Sequence, residues 1–208
     1  MTHALLIVDD SPYIRDILRT MLTRGGYTAF AAADAAECSR YLADHTPDLI
    51  LLDIMMEPVN GWEILRALRD NPDTAAFPVM MITAKPLTPR EAEDYGSIIE
   101  DYLVKPITHT ELFGALEGFF TRRSRVEREA MSAADAGMGP DIIAEYRDLS
   151  RIVIVGRRLL GLLGESLRSG YAGPAERQAV IQAIERMRQK IECQENRIRE
   201  IRETFGPV

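Results

Sequence analysis

The stretch Asp48-Leu49-Ile50-Leu51-Leu52-Asp53 decides the fold. Its four consecutive apolar residues are too few for a helix and do not alternate with polar residues, a pattern typical of a parallel β-strand that is covered on both faces. Asp53 then lies at the carboxyl end of the strand. Because ligands bind at that edge of an open α/β sheet, Asp53 is a candidate for chemistry.

Four further apolar runs alternate with helical patterns through residues 1–124. The runs occupy residues 4–8, 27–31, 77–82 and 101–104. Apolar periodicity or capping residues predict helices at residues 12–24, 35–45, 61–70, 88–95 and 108–119. Five strands that alternate with five helices predict an α/β fold with a doubly wound parallel sheet.

Polar residues stand where four of these strands end. They are Asp9 and Asp10, Asp53, Thr83 and Lys105, and in a parallel sheet they share one edge. Two carboxylates about 4 Å apart repel each other by roughly 4 kcal/mol at an effective dielectric constant of 20. A hard divalent cation such as Mg²⁺ would relieve this repulsion, since it prefers oxygen ligands from carboxylates, water and phosphate.

The same residues suit phosphoryl transfer, in which catalysis consists of positioning and charge neutralisation. Lys105 supplies a compact positive charge, Thr83 supplies a hydroxyl, and Asp53 is the candidate nucleophile. Each residue taken singly would more often be a helix cap, a turn former or a solvated side chain. Their shared position at one edge is what favours a site.

Residues 3–123 resemble the receiver domain of two-component response regulators. The resemblance rests on Asp9-Asp10, Asp53, Asn60-Gly61, Thr83-Ala84, Tyr102 and Lys105-Pro106, all in register with the family's spacing. It implies a flavodoxin-like fold with strand order 2-1-3-4-5 and transfer of a phosphoryl group from a partner histidine kinase to Asp53. Beyond this phosphoacceptor chemistry we do not expect an enzyme.

The resemblance also implies roles for the residues of the site. Mg²⁺ is bound by Asp10, Asp53 and the backbone carbonyl of Met55, and Asp9 supports the metal through water. Lys105 contacts the phosphoryl group. The Lys105-Pro106 peptide is usually cis in the family.

Two further residues form the switch that the resemblance implies. Thr83 moves toward the phosphoryl group, and Tyr102 swings inward as the Thr83 hydroxyl moves. Phosphorylation is thereby expected to bias a small equilibrium between two surfaces.

The sequence departs from the family pattern at two places. Glu57 stands where the family commonly has Pro, and Pro58 follows it, which is expected to reshape the loop beside the metal. Gly96 lies six residues before Tyr102, two more than usual, and Lys85-Pro86-Leu87 lengthens the preceding connection. We therefore expect a short or displaced fourth helix and an output that does not use the standard surface there.

The chain divides into a receiver domain at residues 1–124, a helical extension and linker at 125–140, and a helical hairpin at 141–208. Residues 121–131 prolong the last receiver helix, and residues 132–140 predict a flexible joint. Helical patterns at residues 141–169 and 174–205 flank a turn at 170–173, with Pro174 and Gly206-Pro207 as boundary signals. The short connection predicts antiparallel helices.

Apolar seams on both hairpin helices predict coiled-coil packing. The seam of the second helix consists of Val180, Ile184, Met187, Ile191, Gln194, Ile198, Ile201 and Phe205. The first helix has Ile142, Tyr146, Leu149, Val153, Gly156, Leu160, Leu163 and Leu167, with Ile152, Val155, Leu159 and Leu162 added on one side. Because this arc is wider than one helix covers, we expect a homodimeric four-helix bundle through residues 141–205. The alternative is that the hairpin folds back on its own receiver.

Composition limits the remaining possibilities. Residues 126–208 carry 13 acidic and 13 basic side chains, so the net charge of -7 lies in residues 1–125. With acids interleaved among the hairpin arginines we expect no nucleic-acid partner; the rival interpretation is a transcription or antitermination regulator that binds RNA or DNA through the same helices.

No membrane span or secretion signal is apparent, so a cytoplasmic location is expected. No histidine follows His109, which excludes a histidine phosphotransfer module.

Overall fold

The computed structural model describes residues 2–168 and 173–205, without the side chain of Phe205. Contacts divide these residues into two compact units. The first contains residues 2–86 and 98–113, and the second contains residues 87–97, 114–168 and 173–205. These units are defined by contacts alone, and the domain boundary predicted at residue 124 stays a prediction. The predicted turn at 170–172, the boundary signal at 206–207 and the Phe205 position of the seam lie outside the described residues.

The first unit is built on a five-stranded parallel sheet. Its strands are β1 (Ala4–Val8), β2 (Thr28–Ala32), β3 (Leu49–Asp53), β4 (Val79–Thr83) and β5 (Asp101–Val104). Their order is β2-β1-β3-β4-β5, which confirms the predicted flavodoxin-like topology. Every residue of β3 and β4 is buried, as expected of strands covered on both faces, whereas β2 is at an edge and is largely exposed.

Helices α1 (Pro12–Arg24), α2 (Ala35–Asp44) and α3 (Gly61–Asp70) complete most of this unit. Each begins at a capping residue, Ser11, Asp34 or Asn60, whose side chain accepts a backbone N–H three residues along the chain. The predicted start of β4 at residue 77 was two residues early. Pro78 has no N–H to donate to a neighbouring strand, so the regular strand begins after it.

The second unit is helical. It contains α4 (Pro89–Tyr95), most of α5 (His109–Asp135), α6 (Pro140–Arg168) and α7 (Pro174–Phe205). Helix α4 is only seven residues long, which confirms the predicted shortening of the fourth helix. The ion pairs Arg157–Glu195 and Arg197–Glu145 match residues in opposite order along α6 and α7, so the hairpin is antiparallel, as predicted.

Helix α4 packs against both hairpin helices. A Cβ atom on Gly96 would approach Leu159 Cδ1 of α6 to 2.8 Å, and Arg186 of α7 forms an ion pair with Glu93 at 2.7 Å. Val155 and Leu159 are each only 1% exposed in the single chain. The width of the apolar arc on α6 therefore does not by itself require a second copy, and the homodimer stays a prediction. Part of the arc is covered within the chain by α4, a helix of the predicted receiver.

The predicted flexible joint at residues 132–140 was also wrong, because α5 continues to Asp135 and a tight turn follows. Gly137 has a φ of 85°, its N–H bonds to the carbonyl of Ala134 at 2.9 Å, and the Met138 N–H bonds to the carbonyl of Ala133 at 3.0 Å. This is the Schellman arrangement, in which a left-handed glycine ends a helix. A small apolar cluster holds the turn: Ala130, Ala133, Met138 and Ile143.

A polar cluster joins α5, α6 and α7. The Tyr146 hydroxyl donates to the carboxylate of Glu129, and Arg202 Nη2 lies 2.9 Å from both Glu129 Oε2 and the Tyr146 oxygen. The Arg202 guanidinium also lies 5.7 Å from the centre of the Tyr146 ring. One carboxylate, one hydroxyl and one guanidinium thus satisfy one another. In the part of the chain that the structure describes, no helix is long and apolar enough to span a bilayer.

Candidate functional site

Three carboxylates meet at the carboxyl edge of the sheet. Asp9 and Asp10 follow β1, Asp53 ends β3, and one oxygen of each lies within 4.8 Å of the others. Asp9 is 2% and Asp53 6% exposed, whereas Asp10 faces solvent. The sequence predicted this convergence because each residue follows an apolar strand of the same parallel sheet.

Lys105 lies among these carboxylates. Its Nζ is 2.7 Å from Asp9 Oδ2 and 2.8 Å from Asp53 Oδ2. With all four groups ionised, three negative charges face one positive charge. Carboxylates at this separation repel each other by roughly 3 kcal/mol at an effective dielectric constant of about 20, so the cluster favours a further cation.

Burial and charge act in opposite directions on this pair. Burial raises the pKa of the Asp53 carboxyl, although the hydrogen bond and charge of Lys105 lower it. Burial would lower the pKa of Lys105, but Asp53 and Asp9 raise it above its ordinary value. The two pKa shifts oppose each other. A raised pKa favours a protonated Asp53, and a protonated Asp53 would raise the pKa of Lys105 less than a charged one does. Two carboxylates within 2.8 Å of one ammonium favour the charged form of Lys105.

Backbone N–H groups orient the carboxylates. Ser11 donates to Asp9 Oδ1 at 2.9 Å, Met55 to Asp53 Oδ1 at 3.1 Å, and Glu57 to Asp10 Oδ2 at 3.3 Å. The Glu57 contact shows that the unusual loop reaches the acidic cluster. Met55 is therefore beside Asp53, with its side chain 58% exposed.

Sequence reasoning missed Arg15, which fixes the backbone of the site. Its Nη1 donates to the Asp9 carbonyl at 2.6 Å. Arg15 lies in the first turn of α1, and long helical side chains point toward the helix N-terminus. The sequence could therefore have predicted this contact, because α1 begins three residues after Asp9 and the Arg15 side chain extends back toward that end of the helix.

The Asn60-Gly61 pair is explained by close packing beside Asp53. Asn60 caps α3, and a Cβ atom on Gly61 would lie 2.0 Å from the Asp53 carbonyl oxygen. Only glycine allows the start of α3 to approach the strand end this closely. Gly61 therefore sets the position of the Asp53 backbone.

The two predicted switch residues meet at the backbone of Lys85. The Lys85 N–H donates to Thr83 Oγ1 at 3.1 Å, and the Tyr102 hydroxyl donates to the Lys85 carbonyl at 2.8 Å. Thr83 and Tyr102 are both fully buried, so Tyr102 points inward. The hydroxyl of Thr83 is bonded within its own loop and not to a carboxylate. The Lys105-Pro106 peptide is cis, as expected, and so is Glu57-Pro58.

The donor set fits a hard divalent cation. Asp9, Asp10 and Asp53 offer carboxylate oxygens that are close enough to share one ion, and the exposed position of Asp10 leaves room for water ligands. No sulfur or imidazole ligand belongs to the cluster, which disfavours zinc.

The 2-1-3-4-5 sheet and the acidic cluster with its lysine define a receiver-type signalling domain. The family model described as "Response regulator receiver domain" matches residues 5–117, and this chain belongs to that family. A second model, described as "Metanogen output domain 2", matches residues 122–207.

Solved structures support the same assignment for the first part of the chain. The N-terminal domain of a response regulator receiver protein from Methanoculleus marisnigri is 52% identical, with a TM-score of 0.50, and covers 57% of this chain and 96% of that chain. Chemotaxis protein CheY4 of Vibrio cholerae is 27% identical, with a TM-score of 0.53, over 57% and 99%. The receiver domain of PA1611 from Pseudomonas aeruginosa is 26% identical, with a TM-score of 0.51, over 57% and 98%, and holds a magnesium ion in its active-site cleft.

Curated relatives include a transcriptional regulator and a response regulator. The chain is 31% identical over 136 residues to the DNA-binding regulator RpaA of Synechocystis, and 31% identical over 146 residues to the response regulator MprA of Mycobacterium ulcerans. These matches cover 65% and 67% of this chain but only 56% and 62% of the relatives. Since RpaA is a DNA-binding protein, the comparisons do not support our expectation that nucleic acid is not a partner.

Proposed function

We propose that this chain is a two-component response regulator that accepts a phosphoryl group on Asp53 from a histidine kinase, with Mg²⁺ bound beside it. The observation that carries the proposal is the contact of Lys105 Nζ with both Asp9 and Asp53, at 2.7 and 2.8 Å, inside a cluster of three carboxylates. One lysine is poised to neutralise an incoming phosphoryl group. The surplus of carboxylates is suited to hold a divalent cation.

In the proposed reaction an oxygen of Asp53 attacks phosphorus and the P–N bond of the kinase phosphohistidine breaks. The electron pair of that bond goes to the imidazole, which leaves neutral because its other ring nitrogen already carries a proton. The Met55 N–H and the buried surroundings orient Asp53. Lys105 exchanges its contact with Asp53 for one with a phosphoryl oxygen. No other enzymatic activity is proposed.

The metal ligands proposed are Asp10, Asp53 and the Met55 carbonyl, with Asp9 acting through water. When bound, Mg²⁺ would neutralise charge on the phosphoryl oxygens. The magnesium ion in the cleft of the PA1611 receiver supports this choice of cation.

The proposed switch uses the hydrogen bonds at Lys85. A phosphoryl oxygen near Thr83 would compete with the Lys85 N–H for the Thr83 hydroxyl, and the Lys85 carbonyl is bonded to Tyr102. Movement of one backbone residue therefore affects both side chains. This linkage supports the pairing of Thr83 with Tyr102 in one switch.

The proposed output is protein association through the helical unit, in the cytoplasm. The family that matches residues 122–207 is described as an output domain, which supports this role. Association of two copies through residues 141–205 is supported by apolar residues of α6 that are only half-buried in the single chain and could pack against a second copy. They are Ile152, Ile154, Leu160 and Leu162. A phosphorylation-controlled regulator that binds DNA or RNA is the second candidate, favoured by the similarity to DNA-binding RpaA.

Phosphate labelling tests the primary function. With a small phosphodonor and Mg²⁺, the wild-type chain should be labelled on Asp53, and Asp53→Asn should lose essentially all labelling because the amide cannot form the acyl phosphate. Asp48→Asn, at the opposite end of the same apolar run, is the matched control. Undiminished labelling of Asp53→Asn would falsify the assignment of the phosphoacceptor.

Two measurements separate the candidate outputs. Sedimentation of the full chain at micromolar concentration, with and without phosphodonor, should show a dimer in at least one state if the output is association. Binding to random-sequence DNA or RNA that weakens steeply with salt would instead favour the nucleic-acid candidate, since phosphate contacts release counterions.

A further inference from the structure

The second unit contains a basic cavity that the phosphoacceptor site does not explain. It has a volume of about 330 Å³ and lies between α5, α6 and α7. Four arginines surround it: Arg125, Arg157, Arg199 and Arg202. Glu195 is the one carboxylate among the lining residues described. The lining therefore carries four guanidinium groups against one carboxylate, although Glu129, outside the lining, pairs with Arg202 and also interacts with the charge of Arg125.

Two of the four guanidinium groups are available to a ligand. Arg157 forms an ion pair with Glu195 at 2.6 Å, and Arg202 is bonded to Glu129 and Tyr146. By contrast, Arg125 and Arg199 make no hydrogen bond or salt bridge to any residue that the structure describes. Guanidinium groups bind planar carboxylates and phosphates through paired hydrogen bonds.

The inner wall of the cavity combines a polar group with apolar surface. Ser150 is only 6% exposed, and its hydroxyl has no hydrogen-bond partner among the described residues. Because this oxygen is not among the fully buried atoms that lack a partner, it is accessible from the cavity and can bond to a ligand or to water. Val153, Ile154 and Ile198 provide adjacent apolar surface.

We propose that this cavity binds a small organic molecule that carries a phosphate or carboxylate group on an apolar body. The unpaired arginines would hold the anionic group, Ser150 would donate to one of its oxygens, and the apolar residues would cover the body. The volume lies within the range of small-molecule pockets, roughly 300–1,000 Å³. Such a ligand would bridge three helices of the second unit and so provide that unit with an input separate from phosphorylation.

Calorimetric titration of the full chain with phenyl phosphate, in buffer without Mg²⁺, tests the proposal. We expect saturable binding that is weakened at least about tenfold by Arg125→Ala combined with Arg199→Ala, because two charge-assisted hydrogen bonds are lost. Arg188→Ala, an exposed arginine of the same α7 helix outside the cavity, should leave the affinity unchanged. Since neither cavity arginine has a salt bridge, circular dichroism should show that the double variant folds normally.

Three results would overturn the proposal. Phenyl phosphate could fail to bind saturably at millimolar concentration. Binding could be abolished by Lys105→Ala and be indifferent to the arginine changes, which would place it at the strand-end carboxylates. Inorganic phosphate could bind as tightly as phenyl phosphate, which would exclude a contribution from the apolar wall.

Discussion

The strand-end cluster and the helical cluster of Glu129, Tyr146 and Arg202 contain similar groups but differ in charge balance. At the strand ends one lysine faces three carboxylates. In the helical unit one arginine and one tyrosine hydroxyl satisfy one carboxylate. The first cluster lacks positive charge until a cation binds beside it, whereas the second needs no further ion. This difference in charge balance suits the strand-end cluster to binding a cation and the helical cluster to holding three helices together.

The largest effect should come from removal of the only ammonium in the strand-end cluster. In buffer without Mg²⁺, Lys105→Met should lower the free energy of unfolding by about 3–5 kcal/mol, since it leaves buried carboxylates uncompensated. Urea titration measures this change. Millimolar Mg²⁺ should restore more stability to the variant than to the wild type.

Lys190→Met is the matched control, because Lys190 is exposed and outside the cluster; it should change stability by less than about 0.5 kcal/mol. If Lys105→Met proved as stable as this control, the claim that the strand-end charges are unbalanced would be wrong.

A smaller effect is expected in the helical cluster. Tyr146→Phe should lower the free energy of unfolding by about 1–2 kcal/mol, because Glu129 and Arg202 lose a shared hydrogen-bond partner but keep each other. Urea titration with and without Mg²⁺ should give the same loss, in contrast to Lys105→Met. Tyr13→Phe, where the side chain is 71% exposed, is the control. A magnesium-dependent loss would contradict the distinction between the two clusters.

Replacement of a third polar group should raise the stability of the fold and not lower it. Gln194 Oε1 in the α7 seam is buried without a hydrogen-bond partner among the described residues. Gln194→Leu should therefore raise the midpoint of thermal unfolding, by an amount equivalent to about 1 kcal/mol. The exposed Gln189→Leu serves for comparison. A lower midpoint for Gln194→Leu would mean that the amide has a partner in solution, such as a second copy.

The smallest effect is a pH dependence in the helical cluster. Burial alone would raise the pKa of Glu129, but hydrogen bonds from Tyr146 and Arg202 lower it below its ordinary value of 4.5. Because the folded-state pKa is the lower one, the stabilisation is present above about pH 4.5 and is lost as the pH falls through the folded-state value. Urea titrations should show that Glu129→Gln is less stable than wild type by under about 1 kcal/mol at neutral pH.

That difference should shrink as the pH is lowered below 4.5. Glu192→Gln, an exposed residue on α7, should show no such trend. A difference for Glu129→Gln that grew with acid would reverse the inferred direction of the pKa.

The sheet and its acidic edge could be predicted because their signals are local. An apolar run predicts β3, and Asp53 follows from where that run ends. Ser11, Asn60 and Thr88 mark helix starts through capping chemistry that involves only neighbouring residues. Once the strands are parallel, their ends must meet, so the cluster needs no long-range information.

Other features could not be predicted because they depend on packing between distant residues. Nothing near residues 89–95 indicates that α4 packs on α6 and α7, since the contacts come from Leu159 and Arg186. Lys85 joins the switch residues through its backbone N–H and carbonyl, groups that every residue type except proline possesses. The alanine-rich stretch after Met131 resembles a linker in composition, yet alanine also favours helices, and the burial of Ala133 decides between the two.

The tight turn at Gly137 has a practical consequence for protein engineering. A chimaera spliced within residues 132–140 would cut through the end of one helix and separate the alanines that pack beneath the next. Recombination there should yield poorly folded hybrids even if both parents are stable. A transplant of the output helices to another receiver should therefore carry the end of α5 and its glycine together with them.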